Sequence, residues 1–223
     1  MSLVLKAEPP SYSPASITQA ARILRDGGVA VFPTETVYGV GVDIRRAESV
    51  GRVYALKKRE PSQPLMAHCA SPVQMFEYVA EVPQWVRPLV SRFWPGPLAL
   101  IFQATDKVPP VAIGGGQTIG IRMVGHPVAR DLLEELGAPI AGTSANLHGE
   151  RAMSRFADVS PAVLEQVDVA LDSGLCGKDV PSTVLDVTCN PPWVVRVGAV
   201  SVQDIEAVVG RVVVRPRSPV PDP

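Results

Sequence analysis

Apolar residues recur at Ile17, Ala20, Ala21 and Leu24 within Pro14 to Arg25. That spacing of three and four predicts a helix with one buried face, and Ser13 stands at its start as a candidate cap. Asp26-Gly27-Gly28 ends it, and the short apolar run from Val29 to Phe32 reads as a buried strand. A second helix is predicted over Ala47 to Lys57, a strand over Leu65 to Cys69, and helices near Pro72 to Ala80 and Pro83 to Phe93. Leu98 to Gln103 and Ile119 to Met123 read as strands flanking the loop Gly114-Gly115-Gly116. Pro127 to Leu136 is helical in pattern, and Pro139 to Ala141 leads as a strand into Gly-Thr-Ser-Ala-Asn. The last third predicts strands at Val169 to Leu171, Thr183 to Val187 and Trp193 to Val197, then a helix over Val202 to Val209. Strands and helices interleave throughout, so the expected class is α/β around one continuous core.

Composition narrows this picture. Of 223 residues, 46% are hydrophobic and 19% charged, enough apolar material for a sizeable core and too much for a disordered chain. Residues 1–214 read as one domain and 215–223, with four prolines, as a tail outside it. The formal charge is −1, so no global attraction to nucleic acid is implied. Cys69, Cys176 and Cys189 are odd in number and widely spaced, which suits reduced thiols better than a disulfide framework. No run reaches the roughly 18 apolar residues of a membrane helix, and the expectation is a soluble cytoplasmic protein with no membrane partner.

Five polar stretches break the apolar pattern. Phe32-Pro-Thr-Glu-Thr-Val-Tyr-Gly-Val-Gly41 packs Thr34, Glu35, Thr36 and Tyr38 behind a strand, a density of hydroxyls that fits either a self-satisfied turn or a ligand contact. Lys57-Lys58-Arg59-Glu60 closes a helix, where basic residues suit the dipole whether or not they bind anions. Arg122 sits in a strand that reads as buried, after Gly114 to Ile121, and a buried guanidinium needs an anion, either a protein carboxylate or a substrate one. Gly142 to Asn146 lies at a strand end, where ligands of open α/β sheets collect and backbone amides can cradle phosphate. Pro181-Ser182-Thr183 enters another strand, and Arg196-Val197-Gly198 leaves the next. Neither a phosphate loop nor a dinucleotide fingerprint nor a nucleophile elbow is present. His68, His126 and His148 lack metal-ligand spacing, and His68 by itself reads as a core histidine. What remains is a set of hydroxyls and cations suited to binding carboxylate and phosphate.

Taken in order, these stretches resemble the YrdC-like threonylcarbamoyl-AMP synthase family from about Ala15 to Val200. The resemblance rests on F-P-T-E-T-V-Y-G-V-G at 32–41, K-K-R at 57–59, Q-P-L at 63–65, I-G-I-R at 119–122, S-A-N at 144–146, S-T-V-L-D at 182–186 and R-V-G-A at 196–199. It implies a twisted mixed open sheet with flanking helices and a deep, positively charged concave site. It implies synthesis of L-threonylcarbamoyl-AMP from L-threonine, bicarbonate and ATP, a nucleotidyl transfer releasing pyrophosphate. A downstream transferase then passes the group to the adenosine beside a tRNA anticodon, with tRNA contact a further expectation. Carried over by residue, Thr36, His68, Arg122 and Ser182 would hold L-threonine. Lys57, Arg59, Gln63, Thr118, Ser144, Asn146 and Arg196 would line the ATP site, with Lys57 and Arg59 catalytic. Mg²⁺ would arrive with the nucleotide, without a protein metal cage.

The chain departs from the family pattern in places. Glu60 and Gln63 replace the usual proline and asparagine, Thr143 precedes Ser144, and His148 to Ser154 reads H-G-E-R-A-M-S where S-G-x-x-S-P-T is usual. Glu60 sets a negative charge beside the phosphate cluster. Longer relatives add a linker and second domain, whereas this chain resembles the single-domain form. Related carbamoyl chemistry of hydrogenase maturation proteins would need zinc-finger and acylphosphatase-like regions that the sequence lacks. The alternative from another class is an RNA-binding or ribosome-assembly module without catalysis.

Overall fold

The computed structural model describes residues 2–147 and 149–214, so the proline-rich tail lies outside the described residues. The strands are β1 (Leu3–Lys6), β2 (Ala30–Phe32), β3 (Gly39–Asp43), β4 (Met66–Cys69), β5 (Leu98–Gln103), β6 (Thr118–Met123), β7 (Ile140–Ser144), β8 (Val169–Asp172), β9 (Thr183–Asp186), β10 (Trp193–Arg196) and β11 (Val213–Val214). The helices are α1 (Pro14–Arg25), α2 (Ala47–Lys57), α3 (Pro72–Phe76), α4 (Arg87–Phe93), α5 (Pro127–Leu136), α6 (Pro161–Leu164) and α7 (Val202–Val209). Among the described residues the strands form one mixed sheet in the order β1-β8-β2-β3-β7-β4-β6-β5-β9-β10-β11.

Helices with clear amphipathic spacing fall where the pattern places them, because their buried stripes are set locally: Ile17, Ala20, Ala21 and Leu24 of α1 are all buried. Three expectations need correction. Ser13 occupies the N-cap position of α1, but its side chain makes no capping bond, and Pro14 at the first turn leaves one amide fewer to cap. The helix expected to reach Ala80 stops at Phe76, and the one expected from Pro83 begins as a 3₁₀ turn over Gln84–Val86 before α4. Strand β3 is absent from the sequence reading, because Gly39-Val40-Gly41 looks like a turn until β2 and β7 pair with it on either side.

The core is also two clusters rather than one. On one face of the sheet, Val40, Val42, Ala67, Cys69, Leu98, Leu100, Ile119, Ile121 and Leu185 pack with Val50 and Val53 of α2, Leu89 of α4 and Ile205 of α7. On the other, Ala30, Phe32, Ile140, Val169 and Leu171 pack beneath α1 and α5, through Leu24, Val128, Leu132 and Leu136. Successive side chains of a strand point to opposite faces, so the alternate positions of β4, β6 and β9 must emerge on the α1/α5 side. The residues of α1 and α5 named there pack over β2, β7 and β8, and the alternate positions of β4, β6 and β9 instead line a cavity.

Candidate active site

That cavity is a concavity of about 730 Å³, within the range of about 300–1,000 Å³ typical of small-ligand sites. Its floor is the sheet face itself, and the carboxyl end of β7, where Gly142 to Asn146 was expected, lines it as well through Ser144 and Asn146. Register makes the floor: Met66 is paired with both Gly120 and Gly142, His68 with Arg122, Gly39 with Ser144, and Val184 with Arg196. All of these residues line the cavity. Glycine is required at position 142, where a Cβ would come 2.6 Å from the Val40 carbonyl oxygen.

Thr36 and Arg122 meet on this floor. Arg122 is 3% exposed, and its Nη1 donates to Thr36 Oγ1 at 3.0 Å. Thr34 Oγ1 lies 2.6 Å from the Val37 carbonyl, which can only accept, so the Thr34 proton goes there. The 2.8 Å bond between the two threonines then runs from the Thr36 hydroxyl to Thr34. Thr36 has thus spent its proton and offers a ligand only an acceptor, a fit to an amine rather than a carboxylate. Arg122 Nε is buried without a partner, as is Glu35 Oε1, which stands 3.6 Å from Arg122 Nη1. Glu35 Oε2 accepts from the Gly125 amide at 2.9 Å. Both readings of Arg122 therefore hold in part: it has an internal carboxylate, beyond hydrogen-bond length, and retains an unspent donor. Burial lowers its pKa from the usual arginine value, opposed first by Glu35.

His68 lies beside it, edge-on to Phe32 at 5.4 Å between ring centroids, with Nδ1 3.4 Å from the Ile140 carbonyl. Burial, then the Arg122 charge, press its pKa down to about 3, so the ring is neutral at physiological pH. Ser182 Oγ accepts from Arg196 Nη2 at 3.1 Å, and Arg196 Nε donates to the Ser182 carbonyl at 3.1 Å. The Ser182 hydroxyl keeps its proton for a ligand, the reverse of Thr36. Thr118, Ser144, Asn146 and Arg59 complete the set of expected residues on the lining.

Lys57 and Gln63 do not line the cavity. Lys57, expected on the ATP site, is 1% exposed. Its Nζ donates to the Ser144 carbonyl at 3.0 Å, to Asn146 Oδ1 at 3.0 Å and to the Asn146 carbonyl. With three donors spent on three oxygens, it pins the loop after β7 to the end of α2 instead of facing a ligand. Burial, then the neighbouring Arg59, bring its pKa down to about 8. Arg59 is half-buried, donating to the Gln63 carbonyl at 3.2 Å and the Pro64 carbonyl at 2.9 Å, so Gln63 contributes backbone to this corner. Glu60 is exposed and is not part of the lining. Tyr38 is structural: its hydroxyl donates to the Gly174 carbonyl and accepts from the Ser173 amide, both at 3.0 Å.

Sequence reasoning missed Arg151 and Asp179, which face the cavity from two separate loops. No motif spacing links positions so far apart, and an Arg-Ala step in a polar loop carries no periodic signal. Four arginines (59, 122, 151, 196) line the cavity against two carboxylates, Glu150 and Asp179.

The likeness to known proteins agrees with this geometry. A family model for Sua5, YciO and YrdC, described as "Telomere recombination", matches residues 22–198. A threonylcarbamoyl-AMP synthase of Pyrococcus abyssi is 36% identical over 197 residues, 88% of this chain and 58% of that protein. One from Halorhodospira halophila is 34% identical over 80% of this chain and 93% of its own length. The solved structure of P. abyssi Sua5 complexed with L-threonine superposes with a TM-score of 0.91 at 33% identity, covering 97% of this chain and 63% of that one. The chain thus spans somewhat over half the length of several curated relatives that it matches. With the family model spanning most of the chain and a relative covered nearly end to end, the chain belongs to the Sua5/YciO/YrdC family.

Proposed function

We propose that this chain synthesises L-threonylcarbamoyl-AMP from L-threonine, bicarbonate and ATP, releasing pyrophosphate, as a nucleotidyltransferase serving threonylcarbamoylation of tRNA. The observation that carries the reading is the Arg122–Thr36 contact on a bare sheet face, in one cavity with Arg59, Ser144, Asn146 and Arg196. Relatives named threonylcarbamoyl-AMP synthase, and one solved with L-threonine, support it.

An amino acid fits the polarity of the floor. Thr36 accepts from its amine, the Arg122 guanidinium supplies the positive charge that draws the carboxylate to the floor, and the Ser182 proton remains for an anionic oxygen. The amine nitrogen bonds to the carbon of bicarbonate and water leaves, giving a carbamate. A carbamate oxygen then attacks the α-phosphorus of ATP, and the bond from that phosphorus to the bridging oxygen breaks with release of pyrophosphate. Two anions must approach one another, so the principal catalytic demand is screening by preorganised cations. Arg59 and Arg196 serve it, each held in place by carbonyl oxygens. Lys57 acts at one remove, by fixing Ser144 at the end of β7 and Asn146 in the loop after it. Mg²⁺ enters as part of the nucleotide substrate. Among the described residues no group of three or more His, Cys, Asp or Glu gathers to hold a metal.

The test is pyrophosphate release from ATP with each substrate omitted in turn. Release that needs both L-threonine and bicarbonate is expected, and equal rates with glycine, serine and threonine would overturn the substrate assignment.

A further inference from the structure

Arg151 and Asp179 stand at the cavity from opposite loops, the first in the segment after Asn146 and the second between β8 and β9. Their side chains pair at 3.5 Å, Nη2 to Oδ2, which is long for a charge-assisted bond of about 2.7–2.9 Å. The two ends are not equally held. Asp179 Oδ1 accepts from the Ser154 amide at 2.8 Å, so the carboxylate is anchored. Arg151 is 72% exposed at its side chain and, among the described residues, is held by that contact with Asp179. The other three lining arginines donate to carbonyl or hydroxyl oxygens at 2.9–3.2 Å.

An exposed ion pair of this length is weak, because water competes for both charges and the arginine gives up rotamer freedom to hold it. A polyphosphate in the same cavity would offer Arg151 a higher charge and several acceptor oxygens in a geometry that its planar fork matches. We propose that Arg151 is a polyphosphate-binding residue that rests against Asp179 in the empty site and exchanges that carboxylate for a phosphate oxygen when the nucleotide binds. This rests on the reading of the cavity as an ATP site. It makes Asp179 a competitor for Arg151, so the two residues have opposite effects on affinity. A purely structural pair would instead make them act alike.

The experiment titrates pyrophosphate, and separately Mg-ATP, into the full chain by calorimetry at two salt concentrations. Arg151→Gln is expected to weaken pyrophosphate binding about tenfold and to flatten its salt dependence, the size of one charged hydrogen bond lost. Arg151→Lys should recover part of it. Asp179→Asn, which keeps an acceptor for the Ser154 amide but removes the charge, should bind pyrophosphate more tightly. Unchanged binding in Arg151→Gln, or weaker binding with a lowered melting temperature in both variants, overturns the exchange. Wild type that fails to bind ATP or pyrophosphate overturns the nucleotide reading beneath it, whereas wild-type binding that is lost in Arg59→Ala and unchanged in Arg151→Gln overturns the role of Arg151 alone.

Discussion

Arg122 Nη1 donates to Thr36 Oγ1 at 3.0 Å while Glu35 Oε1 stands 3.6 Å from the same nitrogen. One guanidinium is thus shared between a hydroxyl that it orients and a carboxylate that it only partly neutralises. Replacing Arg122 by Met should lower L-threonine affinity by about 2–5 kcal/mol, the range for deleting one partner of a buried charged contact. The apo protein should lose less, since the Glu35 side chain is 22% exposed and keeps its bond to the Gly125 amide. Calorimetric titration alongside melting temperatures measures both. A strongly destabilised variant that still binds L-threonine normally would make Arg122 a structural residue.

His68 has a pH signature. Its pKa is about 3 in the folded protein against an ordinary 6.5, so between these values the unfolded chain binds a proton that the folded one refuses. The contribution of His68 to stability is full above about pH 6.5 and is lost as pH falls toward 3. The stability difference between wild type and His68→Gln, from urea midpoints at several pH values, should therefore shrink on acidification. L-threonine binding should show no inflection from His68 between pH 6 and 8.

Lys57 has the same sign in an alkaline window. With a folded pKa near 8 and an unfolded value of 10.5, it penalises folding below pH 8 and does so less as pH rises toward 10.5. Wild type should gain stability relative to Lys57→Met across that interval. At neutral pH the variant should still be less stable, since Ser144 and Asn146 would lose their shared donor, at about 1–3 kcal/mol for each buried group left unpaired. A variant that unfolds like wild type but has lost activity would instead place the ammonium in direct contact with substrate.

Gly177 offers a steric test. A Cβ there would fall 2.0 Å from the Thr36 carbonyl oxygen and 2.4 Å from its carbon, so Ala cannot be accommodated without moving the Thr36 backbone. Gly177→Ala should cost about 1–3 kcal/mol of stability as an overpacked position. It should also raise KM for L-threonine more than KM for ATP, because Thr36 is displaced relative to Arg122. An equal rise in both constants would show general loosening of the cavity.

Much of this molecule is legible locally. The stripes of α1, α2, α5 and α7 and the apolar run of β5 are set within a few turns of chain, and the structure returns those elements with the predicted bounds. The polar interruptions at Thr36, Arg122, Ser144 and Ser182 are visible for the same reason: each breaks a pattern that packing alone would continue. Strand β3 is not legible, because two of its five residues are glycines and its pairing partners lie on β2 and on β7, a hundred residues further along the chain.

The residue types available for chemistry, and which stretches are helical, follow from composition and periodicity. Which face of the sheet is left bare depends on where α1 and α5 pack, and neither helix encodes that alone. Whether Lys57 points at a ligand or into the protein depends on three oxygens from a loop nearly ninety residues away. The Arg151–Asp179 pair likewise joins two loops that only the closed sheet brings together. Short-range order comes from propensity and amphipathic spacing, while the direction of a charge is set by long-range register and by the acceptors that register delivers to it.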